Sequence, residues 1–189
     1  MRIGGFVVRV LAWLPVAFLV WYVTAPVLLW PAALVVKAIS RAGLADLVIG
    51  IEQSRATLTF VTSLRPGTGA AQAARVTVDV NMLLYAFGLP LYAALVVAAR
   101  EARWPRLLAL GYAALTPFVA WGVLADFLKN VAITAGPLIA SQTGFAGWQR
   151  EVIAFAYQLG ALILPTVAPA ALWVVTHDVF IARLRRGTG

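Results

Sequence analysis

Four long apolar runs constrain this chain more than anything else in it: Val10–Trp30, Met82–Ala99, Leu107–Ala125 and Val152–Val175. Each holds 18 or more residues and no charged side chain. The hydrocarbon core of a bilayer is about 30 Å thick, which about 20 helical residues cross. The runs therefore predict an α-helical polytopic membrane protein, with four transmembrane helices in a single membrane domain over residues 1–189. Composition agrees: hydrophobic residues make up 62% of the 189 and charged residues 12%, about half the share usual in a soluble domain.

The net charge of +8 does not point to nucleic acid, because the basic residues sit at the ends of the runs. Arg2, Arg9, Arg100, Arg103, Arg106, Arg183, Arg185 and Arg186 fall on one side in short segments, with Glu101 and Asp178. Lys37, Arg41, Arg55, Arg65, Arg75, Lys129 and Arg150 fall on the other, diluted over longer loops with Asp46, Glu52, Asp79, Asp126 and Glu151. Short basic loops stay in the cytoplasm. Both termini are thus expected inside a bacterial inner membrane. Thr24-Ala25-Pro26 makes a poor peptidase site, so the first run reads as a retained anchor rather than a cleaved signal peptide.

Between the first two runs the period changes. Pro31–Ala42 has one apolar and one polar side, which fits an interfacial helix or a tilted continuation of the first span. Over residues 44–80, Leu47, Ile49 and Ile51, then Thr57 and Thr59, then Val76, Val78 and Val80 alternate with their neighbours. Period-two alternation rich in valine and threonine predicts a three-stranded antiparallel meander. Arg65-Pro66-Gly67-Thr68-Gly69 reads as a loop within it. So small an extracytoplasmic insertion buries too little to fold alone. Its apolar face must be covered by the interfacial helix, by span ends, or by another protein. Its edge also offers backbone groups for strand addition.

Trp13, Trp21, Tyr22, Trp30, Trp104 and Trp148 read as interfacial anchors, Trp121 and Trp173 as residues packed against neighbouring helices. Pro165 and Pro169 place two kinks on nearly one face of the fourth run, either lining a groove or shaping packing.

Polar groups at membrane depth are the candidates for function. Asp126 and Lys129 can pair at i, i+3, and Arg150 and Glu151 open the fourth span on the same side. With Asn81, Asn130, Tyr157 and Gln158 they make a polar ring at the outer boundary. Such a ring either fixes helix register or serves as a docking site beneath the sheet. Gln158 is expected to hydrogen-bond another helix. No catalytic constellation emerges. There is no cysteine, and the one histidine, His177, is expected to be solvated at the cytoplasmic end. No Walker loop, H-E-x-x-H or G-x-S-x-G is present. No cofactor, metal or enzymatic activity is expected.

The run Asn81-Met82-Leu83-Leu84-Tyr85-Ala86-Phe87-Gly88-Leu89-Pro90 resembles the N-x-L-x-Y-x-x-G-L-P stretch of small membrane proteins encoded beside exosortases. Trp13-Leu14-Pro15, Gly147-Trp148-Gln149-Arg150-Glu151, Tyr157-Gln158-Leu159-Gly160 and Leu164-Pro165 fit the same pattern, as do Ile51-Glu52-Gln53 and 56–63. The chain resembles the exosortase H-associated membrane proteins over nearly its whole length. The resemblance implies an accessory of a protein-sorting system that handles IPTL-type tags in Gram-negative bacteria. An exosortase itself uses a Cys/Arg/His site, which this chain lacks. The partners implied are a polytopic exosortase and its tagged substrates. The alternative from the residues alone is a small transporter or channel subunit lined by kinked spans three and four. Neither reading fixes a homo-oligomeric state.

Overall fold

The computed structural model describes residues 3–67, 74–178 and 180–182; Arg2, Arg183, Arg185 and Arg186 of the charge pattern, and Thr68 and Gly69 of the loop, lie outside them. Helix α1 (Ile3–Leu28) takes in the whole first apolar run except its end. Pro31 has no N–H for the Val27 carbonyl, so the helix breaks at Leu29 and resumes as α2 (Trp30–Gly43). The segment expected as an interfacial helix is thus a separate helix. It buries Ala32, Ala33, Val36 and Ser40.

The meander forms as expected, with β1 (Val48–Ser54), β2 (Thr57–Thr62) and β3 (Thr77–Asn81) antiparallel in that spatial order. Ser54 pairs with Thr57, and Leu58, Thr59 and Phe60 pair with Val80, Asp79 and Val78. Alternation then sorts the two faces. Leu58, Phe60 and Val80 are fully buried, while Asp79 and Asn81 are exposed on the opposite face. The apolar face is covered within the chain: it shares one core with Ala32, Val36 and Val123, and Phe60 stacks on Phe127 at 4.2 Å between ring centres.

The second apolar run is interrupted. Helix α3 (Leu83–Ala86) and helix α4 (Gly88–Ala99) meet at Phe87, because Pro90 cannot donate to the Ala86 carbonyl. Arg100, in the left-handed region at φ 55°, ends α4. Helix α5 (Trp104–Lys129) follows, then a wide π turn over Asn130–Thr134 and the short α6 (Pro137–Gln142). Helices α7 (Gly147–Gln158) and α8 (Leu164–Thr176) are joined through a second π turn, Leu159–Ile163.

Three of these stretches are long and apolar enough to cross a membrane: Ile3–Leu28, Trp104–Thr134 and Gly147–Thr176. Leu83–Ala99 is apolar but shorter. The packing of this shorter stretch on α5 is set by two glycines. A Cβ at Gly122 would lie 2.5 Å from the Tyr85 ring, and one at Gly111 would lie 1.9 Å from the Tyr92 ring. Residues 85 and 92 thus face 122 and 111, so the two stretches run antiparallel. Gly160 approaches the Gly122 backbone in the same way. Each ring occupies the space a side chain would need.

Two expectations fail here. His177 is 1% exposed, stacked on Trp173 at 5.1 Å in a cluster with Phe6 and Phe180, because aromatic side chains from both chain ends close over it. Burial lowers its pKa, against an opposing pull from Glu101. Trp21, read as an anchor, is buried edge-on to Phe18. Trp121, though half exposed, packs against a neighbouring helix as expected: its indole donates to the Ala156 carbonyl at 3.1 Å beside the second π turn. Pro165 and Pro169 shape packing: they seat against Gly88, leaving a space of only about 10 Å³ between them and α3–α4.

Candidate functional site

The last turn of α5 carries Asp126 and Lys129 on one face, and they pair at 3.0 Å. Asp126 is buried, which is tolerated only where its charge is met. The π turn beginning at Asn130 turns that side chain back: its Nδ2 donates to the Asp126 carboxylate at 3.1 Å and to the Asp126 carbonyl at 2.9 Å. The Lys129 ammonium lies 4.1 Å over the centre of the Tyr157 ring, a cation–π contact from α7. Tyr85 completes the cluster, facing both Asp126 and Tyr157 from α3. Four segments therefore converge on one knot beneath the sheet, next to the Phe60–Phe127 stack.

The predicted ring is only partly gathered. Asp126, Lys129, Asn130 and Tyr157 come together. Asn81 does not join them; its Oδ1 accepts from the Leu83 N–H at 3.0 Å and so starts α3. Arg150 reaches instead toward the Ala140 carbonyl of α6, at 3.4 Å. It precedes Tyr157 by two turns, about 10 Å along the axis, and so cannot share its partners. Glu151 is exposed and makes no ion pair among the described residues. Gln158, expected to bond a neighbouring helix, is exposed and makes no hydrogen bond among the described residues. Standing 100° around the helix from Tyr157, it faces away from the bundle.

Sequence reasoning missed two contributors. Tyr85 stood in an apolar run, where a phenol needs a polar partner for its tip; that need was the available signal. Gln142 gave none. Its amide accepts from the Arg65 N–H at 3.0 Å and donates to the Arg65 carbonyl at 2.9 Å, clamping α6 to the loop after β2.

Chemically, the knot is a neutralised ion pair enclosed by two phenols, suited to fixing geometry rather than to moving protons. No group of three His, Cys, Asp or Glu side chains able to hold a metal occurs among the described residues. A family model described as exosortase H-associated membrane protein matches residues 1–180. No curated protein and no solved structure matches the chain.

Proposed function

Since the chain belongs to the exosortase H-associated membrane protein family, we propose that it is a non-catalytic accessory of an exosortase-type sorting system. It works at the outer face of a Gram-negative inner membrane, assisting the sortase or presenting its tagged substrates. The observation that carries this reading is a small sheet mounted rigidly on membrane-type helices. Its apolar face is locked on α2 and α5, so a partner would meet the edge strands β1 and β3.

Four spans with both termini inside fit the same arrangement. The Gln142–Arg65 clamp joins the segment after α1 to the segment after α5 at one end of the molecule. The chain between them leaves through α3–α4 and returns through α5. Residues 83–99 extend about 26 Å as helix, close to the thickness of a hydrocarbon core. The insertion 44–80 is then extracytoplasmic, and the ring residues Asn81, Asp126, Lys129, Asn130, Arg150, Glu151, Tyr157 and Gln158 support or border the docking face.

The test is in-cell crosslinking followed by purification of a tagged copy in mild detergent. Recovery of a polytopic sortase, with crosslinks in 44–80 or near Arg150, is expected. A chain that inserts normally but recovers only itself would overturn the accessory reading.

A further inference from the structure

A groove of about 730 Å³ runs between the sheet and the end of α1. One wall is apolar and belongs to a helix long enough to cross a membrane: Tyr22, Val23, Ala25 and Pro26. The other wall is the polar face of the sheet, with Thr57, Thr59, Asp79 and Asn81, and Arg55 lines the groove from the turn between β1 and β2. A hydrophilic wall set against a membrane helix lies at headgroup depth once α1 crosses the bilayer, the one part of the reading above on which this step rests.

The charges in the groove are open. Asp79 accepts from the Thr59 hydroxyl at 2.6 Å through Oδ1 and has no ion-pair partner among the described residues. Arg55 is exposed and likewise without an acidic partner among them. On the helix wall, Pro26 brings no N–H to the Tyr22 carbonyl, so the usual bond from four residues on is missing there. Arg55 is also costly where it stands. It is the first residue of the two-residue turn joining Ser54 to Thr57, at φ 54°, a conformation that glycine adopts more easily. Gln53 ties that turn to the helix end through the Arg55 carbonyl at 3.1 Å and the Pro26 carbonyl at 3.5 Å.

We propose that this groove binds a zwitterionic phospholipid of the phosphoethanolamine class. Its ammonium sits on Asp79 and the Tyr22 carbonyl, its phosphate on Arg55, and its acyl chains lie along the exposed side of α1. The complement is one of sign: Asp79 and the Tyr22 carbonyl offer acceptors and Arg55 a cation, against an apolar wall. An anionic headgroup without an amine satisfies Arg55 alone.

The experiment is native mass spectrometry of the purified full chain, equilibrated in nanodiscs of equal phosphatidylethanolamine and phosphatidylglycerol. The wild-type protein retains the ethanolamine lipid by about fivefold over the glycerol lipid, the scale of one part-exposed charge pair. D79N, which keeps the oxygen that Thr59 bonds, lowers the ratio toward one. R55G suits the left-handed turn, so it raises the melting temperature while lowering retention of both lipids. Equal retention of the two lipids by the wild-type chain, or a preference that survives D79N, would overturn the proposal. So would a basic polypeptide that crosslinks in the groove of a delipidated chain showing no lipid preference.

Discussion

At the scale of single residues, the close approaches make sharp predictions. Gly111→Ala puts a methyl group into the Tyr92 ring, which is tethered by its hydroxyl to the Leu107 carbonyl at 3.0 Å. The ring cannot step aside, so overpacking costs about 1–3 kcal/mol in reversible unfolding from detergent. Gly4→Ala, with nothing within 4 Å, costs nothing measurable or gains up to about 1 kcal/mol from helix propensity. Asp126→Asn leaves Lys129 without its charge partner while the Tyr157 ring remains, and destabilises by about 1–3 kcal/mol. Asp126→Asn combined with Lys129→Gln recovers part of that loss; strictly additive effects would show that the pair is not coupled. His177 gives a pH signature. Its folded pKa lies below its unfolded value of about 6.5, so the unfolded chain binds the extra proton. Its contribution is complete above about pH 7 and declines as pH falls below about 6.5 toward the folded pKa. Because His177 is the only histidine, His177→Phe should flatten the melting temperature between about pH 7 and 5.5.

At the scale of elements, the clamp between α6 and the loop after β2 hangs on one amide. Gln142→Ala removes both bonds to Arg65 and should speed amide exchange at Arg65 by about tenfold, the effect of about 1.4 kcal/mol of local stability. The strands themselves need not loosen, since Leu58, Phe60 and Val80 stay buried on α2 and α5. Unchanged exchange at Arg65 would mean that the clamp is incidental. How legible these elements were follows from where their signals reside. Strands β1 to β3 stand in the sequence because alternation of Leu58 and Phe60 with Thr57 and Thr59 is a local pattern. Long spans stand there because charge is absent from them. The π turns after Lys129 and Gln158 were invisible, since Asn130–Thr134 and Leu159–Ile163 differ from ordinary helix only in how tertiary contacts draw their backbone. Tyr85, Trp21 and His177 were misjudged or missed for a related reason. Which face of a helix is buried between other helices has no periodic signature when every face is apolar.

At the scale of the whole molecule, the absence of cysteine makes topology directly measurable, because any introduced thiol is unique. Sheet and α6 share one end of the structure, and the turn between α4 and α5 lies at the other, since Tyr85 meets Gly122 while Tyr92 meets Gly111. Single cysteines placed at Ser54 and Ser141, both exposed, should react with an impermeant maleimide on intact spheroplasts. One at Arg100, also exposed and beyond α4, should react only after permeabilisation. Equal labelling of all three on intact cells would mean that Leu83–Ala99 does not cross. The sheet would then share a compartment with the arginine-rich turn, and the accessory reading would lose its membrane geometry, while the groove beside α1 would keep its own. The ordering of the three sites thus decides more than any single site, because a crossing by Leu83–Ala99, about 26 Å long as helix, would put the bilayer between Ser54 and Ser141 on one side and Arg100 on the other.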